Sequence, residues 1–300
     1  MIMEGLHRIC CCWHSVASLR KPTLGVQMSV LSVLICALAQ LSYADDAALA
    51  KQSQNPIGNM ISVPFQNTTY FDQGPTDKFV NIMNIEPVYP MSFNKVNLIN
   101  RFIIPVSYVE GQDSYAIPGP GGDAALVPGT DDEFGLGNIT YQMFFTPKKP
   151  GKGIWGVGPV FELPTNTDDV LGTDTWSAGP GFVILAMPGN WVIGGLAYNI
   201  WSFSESNDAP DKNLLVAQYF INHNFAGGWY ATSTPTMTAD WEANSDDRWT
   251  IPIGGGMGRL VRFGNTPVDF KGQVFYNVEA PEDVGDWSVQ FQVKLLFPKG

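Results

Sequence analysis

The sequence predicts an all-β protein: a transmembrane antiparallel up-and-down β-barrel of about twelve strands, preceded by a signal peptide and a short N-terminal plug or periplasmic segment. Three observations predict it. The last strand-like run alternates strictly, with Trp287, Val289, Phe291, Val293, Leu295 and Phe297 on one face and Ser288, Gln290, Gln292 and Lys294 on the other. Most such runs span about ten to fifteen residues, whereas strands of soluble proteins cluster near five or six and membrane-crossing ones need nine to eleven. The connections between runs alternate between short, basic or neutral turns and longer acidic loops, as the two ends of a barrel require.

The leader comes first. The apolar run "MSVLSVLICALAQL" from Met28 follows Arg20 and Lys21 and precedes Ser42 and Ala44, small residues suited to cleavage after Ala44. Residues 1–44 therefore read as a secretory signal peptide, with Met28 as an alternative start. All four cysteines, Cys10, Cys11, Cys12 and Cys36, lie in this stretch, so the body has no disulfide, thiol nucleophile or zinc cluster.

Residues 45–57 are polar, helix-capable between Asp46 and Gln54, and interrupted by Pro56. They are expected to plug the barrel or lie at its periplasmic mouth. The barrel itself is expected over 58–300, with strands near 58–67, 79–90, 96–109, 134–145, 154–164, 176–187, 191–203, 213–225, 229–241, 249–263, 267–279 and 287–297. The first two are poorly patterned, so ten or fourteen strands stay open as alternatives. Trp155, Trp176, Trp191, Trp201, Trp229, Trp241, Trp249 and Trp287 each fall near a strand end, where amphipathic rings form the aromatic girdles of membrane barrels.

The turns "MSFNK", "TPKKPGKG", "PGN", "AGG" and "GNT" mark the periplasmic end. The acids gather in the loops 68–78, 110–133, 165–175, 204–212, 242–248 and 280–286, at the extracellular end. These acids read chiefly as solvated loop charges. The net charge of −11 and the lack of Lys/Arg clusters exclude nucleic acid as a partner. A chain 45% hydrophobic and only 15% charged is ordinary for a folded protein.

Inward parity picks out Arg101, Glu162, Asp240, Asp269, Lys271, Glu279 and Lys294 as lumen or pore candidates. Asp269, Lys271 and Lys294 lie on neighbouring strands and are also suited to a charge ladder bracing the interior. Arg101 and Lys271 are the residues expected to tune solute preference. Arg259 falls on lipid parity, which implies either a bulge at Gly254 to Gly256 or a snorkelling place near the periplasmic rim. Lipid-facing parity also gives His223 to the girdle. Its strand lacks the serine that a phospholipase-type pair would need.

The segments "LAKQSQNPIGNMISVPFQN" from Leu49, "WGVGPVFELPT" from Trp155, "WSAGPGFVILAMPGNWV" from Trp176, "GGWYATSTPTMTADWEANSDDRWTIPIGGG" from Gly227 and "FQVKLLFPK" from Phe291 resemble the bacterial outer-membrane barrels labelled "MetA-pathway of phenol degradation". That resemblance implies an outer-membrane protein passing small solutes, hydrophobic or aromatic ones among them, and supplies no catalytic set. "QYFINHNF" departs from it at Tyr219 and His223, where Pro and Tyr are common.

The expected activity is thus a channel or transporter rather than an enzyme, without cofactor or metal. The alternatives are a structural barrel and, behind it, a phospholipase-like barrel enzyme. Expected partners are outer-membrane lipid and lipopolysaccharide, the barrel assembly machinery reading the near-terminal Phe297, and a small solute of unknown identity. The expected location is the bacterial outer membrane, reached by Sec export.

Overall fold

The computed structural model describes residues 46–118, 124–149, 151, 153–204 and 211–298. The signal peptide, its cleavage site, Met28 and the cysteines lie outside the described residues, as do the loop acids Asp123, Glu205 and Asp208.

One 15-stranded sheet contains three staves broken in two, so it has twelve staves. In chain order they are β1 (Ile61–Gln73), β2 (Lys78–Ile85 and Val88–Ser92), β3 (Val96–Val109), β4 (Glu133–Leu136 and Ile139–Pro147), β5 (Gly153–Leu163), β6 (Ser177–Ala186), β7 (Trp191–Ser202), β8 (Asn213–Asn224), β9 (Trp229–Ser233 and Thr236–Asp240), β10 (Trp249–Phe263), β11 (Thr266–Glu279) and β12 (Trp287–Phe297). Each stave pairs antiparallel with the next. β12 returns to β1, from Ile61 opposite Phe297 to Tyr70 opposite Ser288.

The sheet is therefore a closed transmembrane β-barrel. Closure is what hydrocarbon demands, since an open edge would leave backbone donors and acceptors without partners. The alternating residues of β12 divide accordingly: Phe291, Phe297 and Trp287 are exposed outward, while Ser288, Gln290 and Gln292 are buried inside. None of the described helices is long and apolar enough to cross a membrane.

Proline and local register set the breaks. Pro87 has no N–H to give the ladder and separates the halves of β2. Thr234 and Pro235 separate the halves of β9. β1 begins later and ends later than its pattern suggested, because Thr68, Thr69 and Tyr70 are β-formers that stay paired with β12 and β2. The loop expected over 68–78 shrinks to a tight turn at 74–77.

Of the eight girdle tryptophans, Trp155, Trp191 and Trp229 mark the end with short turns. Trp176, Trp201, Trp241, Trp249 and Trp287 mark the end with long loops. All but Trp249 are exposed; Trp249 is half-buried edge-on against Trp241, 5.7 Å between ring centres.

Candidate functional site

The barrel interior has an apolar side and a polar side. Inward residues of the apolar side, Val183, Leu185, Val192, Leu196 and Phe220, pack with Phe144 and Ile99 into one buried cluster. Ile57, from the segment before β1, is part of that cluster. Residues 46–53 form a helix whose Leu49 and Ala50 are buried against Leu260 of β10 and Leu296 of β12.

Polar contacts tie the same segment to the wall. Lys51 Nζ donates to the carbonyls of Met187, at 2.8 Å, and Gly189. Gln54 and Asn224 exchange amide hydrogen bonds of 2.9 and 3.1 Å. Lys294 Nζ donates to the Ser53 carbonyl at 3.0 Å, satisfying a helix C-terminal acceptor with a cation. Asp46 pairs with Arg262. The segment thus occupies the lumen near the end with short turns.

The polar side encloses a cavity of about 470 Å³. It is lined by inward residues from most of the staves and by Gln52 to Pro56 of the N-terminal segment; Thr, Gln and Asn side chains present neutral hydrogen-bonding groups to the space, and Leu196 and Phe220 close it on the apolar side. Gln273 Nε2 donates to Gln290 Oε1 at 2.8 Å, and Gln292 Nε2 to Gln66 Oε1 at 3.0 Å. These amides brace one another across neighbouring staves.

Charges are few and mostly matched. Arg101 pairs with Glu86 at 2.8 Å, both largely buried. Glu162 pairs with Lys212. Asp269 is buried and its carboxylate accepts from the Tyr230 hydroxyl, whose one proton is shared between Oδ1 at 2.9 Å and Oδ2 at 3.0 Å. Lys294 stands directly across the ladder from Asp269, but its ammonium is spent on Ser53. Lys271 lies 3.4 Å from Thr234 Oγ1. Among the described residues Asp269, Lys271 and Lys294 form no ion pair with one another, so the charge ladder expected of them is replaced by separate contacts.

Arg101, Asp269, Lys271 and Lys294 all line the cavity. Asp240 lies apart, exposed at the mouth with long loops, where its carboxylate caps the Glu242 N–H at 3.0 Å. Glu279 is a correction. A register shift between Ile251 and Pro252 pairs Ile251 with Glu279 and Pro252 with Asn277. The extra residue, Val278, reverses the parity beyond it, so Glu279 is exposed on the lipid-facing side of the rim. The bulge lies in β11, so none is needed at Gly254 to Gly256. Arg259 keeps its lipid parity and stacks over the Trp229 ring, 4.9 Å from its centre.

Glu86, Tyr230 and Lys212 were not singled out in the sequence. Glu86 sits in the weakly patterned β2, and its signal was a carboxylate of inward parity facing Arg101.

The wall itself is interrupted. β9 and β10 hold one register, pairing Thr232 with Gly256 and Thr238 with Thr250, but the ladder is empty between these points. Pro235 and Pro252 bring no N–H to it. Gln273 reaches from β11 to accept the Thr234 N–H at 3.1 Å, and Ser233 Oγ bridges to the Gly254 carbonyl at 2.6 Å. Thr234, Thr236 and Pro252 line the cavity on the inside of this seam. Side chains stand in for part of a backbone ladder.

His223 faces outward with its ring between Trp191 and Phe225, 4.5 and 4.8 Å between centres. Ser233 is on the same face of the adjoining stave, a neighbour that inspection of His223's own strand overlooked. Its hydroxyl is engaged with Gly254 and, at 3.2 Å, with Tyr219.

Comparison with known proteins adds a family. The model of the family described as "Putative MetA-pathway of phenol degradation" matches residues 76–291. Among solved structures, an outer membrane channel from Pseudomonas putida F1 aligns over 81% of this chain and 97% of its own at 15% identity, with a TM-score of 0.57. A FadL homologue from Pseudomonas aeruginosa aligns over 79% of this chain and 89% of its own at 9% identity, with a TM-score of 0.38. The first likeness shows a shared barrel fold, and the second adds nothing to it. No curated protein matches significantly.

Proposed function

Because the chain belongs to the family described as "Putative MetA-pathway of phenol degradation", we propose that it is an outer-membrane channel for small solutes, including apolar and aromatic ones. The observation that carries this reading is the cavity meeting the interrupted seam. Threonines 234 and 236 and Pro252 belong both to the lining of a space of about 470 Å³ and to the one stretch where β9 and β10 lack ladder bonds. A cavity of that size suits a single-ring compound. Its Thr and Gln side chains satisfy one hydroxyl of such a compound, and the seam offers an apolar ring a route towards lipid.

In this reading the short turns face the periplasm and the acidic loops face outward. Lipid and lipopolysaccharide surround the wall, Phe297 serves recognition by the assembly machinery, and export is by the Sec route. The solved neighbour described as an outer membrane channel supports a channel rather than an enzyme. So does the Ser233 hydroxyl, which is directed to Gly254 and Tyr219 rather than to His223.

The test uses the whole barrel in liposomes. Met237→Cys with Ile251→Cys places two thiols on facing lipid-side positions of the seam. Oxidation should abolish uptake of a monoaromatic solute while leaving ion conductance within about twofold of the reduced protein. Uptake that survives complete cross-linking refutes the lateral route, and absence of both uptake and conductance in the unmodified protein refutes the channel. Phospholipase activity abolished by Ser233→Ala would instead establish the enzyme reading.

A further inference from the structure

Away from the rim with long loops, Arg259 is the one charged side chain on the lipid-facing side of the described strands. Its direct cross-strand partner is Trp229, the first residue of β9 after a short turn, which places the guanidinium at girdle level. The ring beneath it holds the group 4.9 Å from its centre. Arg262, three residues on and facing inward, is paired with Asp46, whereas Arg259 has no hydrogen bond or ion pair within the described residues. A cation beside hydrocarbon is costly unless an anion or water meets it. Among the described residues no carboxylate forms an ion pair with it.

The wall next to Arg259 has a particular relief. Two residues towards the bilayer centre on the same face is Met257, 54% exposed, and its cross-strand partners are Ala231 on β9 and Gly272 on β11. A Cβ at Gly272 would meet only the Phe291 ring, at 3.4 Å, so the place is open on its other sides. Ala231 and Ser233 leave a shallow track on the β9 side of the projecting Met257, and Gly272 leaves a dent on the β11 side between the exposed Phe270 and Val274. Phe291, 63% exposed, bounds that dent.

We propose that this face binds one membrane phospholipid. The Arg259 fork meets the two free oxygens of its phosphodiester, the Trp229 ring positions the fork, and the acyl chains lie on either side of Met257, over Ala231 and over Gly272. A planar fork suits a phosphodiester better than a point charge does, and stacking on an indole restricts it to the required plane. The site lies on the outer wall and is separate from the lumen.

Delipidated barrel in detergent, titrated with phosphatidylglycerol and with diacylglycerol of the same chains, tests this by native mass spectrometry. The wild type should bind the phosphate-bearing lipid about tenfold more tightly, and Arg259→Gln should lose that preference. Gly272→Leu, which fills the dent beside Met257, should weaken both lipids about threefold or more. An Arg259→Gln protein that keeps the wild-type preference overturns the proposal, as does unchanged binding by Gly272→Leu. Folding is read from heat-modifiable mobility. If Arg259→Gln does not fold, Arg259→Lys decides: an affinity about threefold weaker supports the fork, and an unchanged one overturns it.

Discussion

Gln273 accepts the backbone N–H of Thr234 on its side-chain oxygen at 3.1 Å, filling a ladder position that β10 leaves empty. Its amide also donates to Thr234 Oγ1 at 2.8 Å, so one side chain closes the inner surface of the seam. Gln273→Leu keeps the volume and removes both bonds together with the one to Gln290. The unpaired N–H should cost about 1–3 kcal/mol locally. Amide exchange at residues 233–237 should accelerate correspondingly while β12 remains protected. Unchanged exchange there would mean that the seam is held by other contacts.

A second prediction concerns the segment before β1. Two apolar clusters and the Lys51, Gln54 and Lys294 contacts fix it against the wall. Deleting Asp46 to Asn55 removes the helix and leaves Ile57 and β1 in place. Single-channel conductance should rise by about twofold or more, because the narrowest part of a pore dominates its resistance. A conductance equal to that of the full chain would show that the segment does not limit passage.

Arg101 and Lys271 are lumenal cations that face the cavity, so their removal changes the field within it. With Arg101→Ala, Glu86 loses its 2.8 Å partner and becomes an unpaired carboxylate inside the barrel. Breaking such a pair costs about 3–5 kcal/mol. The double variant with Lys271→Ala should therefore lower the thermal transition and shift the reversal potential in a salt gradient towards cation preference. If folding is too weakened, Lys271→Ala alone should give the shift in smaller measure. An unaltered reversal potential in both would rule out a role in selectivity.

Much of this architecture was legible in advance because hydrocarbon imposes a period of two on every stave. β3, β10 and β12 run over the expected bounds, from Val96, Trp249 and Trp287. What parity cannot reveal is a single inserted residue, and Val278 is enough to carry Glu279 to the other face. Nor does it show which lumenal charges meet. Asp269 looked like a partner for two lysines, yet Tyr230, a residue with an ordinary strand signature, takes its carboxylate. The pairing of Arg101 with Glu86 was hidden for a related reason: β2 is broken at Pro87, which obscures the alternation on which inward assignment rests.

The long-loop end offers a prediction in pH. Asp132 accepts the Gly111 N–H at 2.9 Å and the Tyr108 hydroxyl at 2.7 Å, clasping both ends of the loop that joins β3 to β4. The Gly111 hydrogen bond, then the Tyr108 hydroxyl, then the charge on Lys78 hold its carboxyl below the ordinary value of 3.8. A group depressed in the folded state adds stability above its unfolded value, and that contribution is lost as pH falls through the folded one. The clasp should therefore be intact at neutral pH and open only below about pH 4. Limited proteolysis of residues 110–132 by an acid protease should accelerate across that window. Tyr108→Phe removes one of the bonds that depress the carboxyl, so its cleavage should gain less on acidification than that of the wild type. Cleavage that ignores pH in both proteins, or gains equally on acidification in both, would show that the clasp does not control the loop.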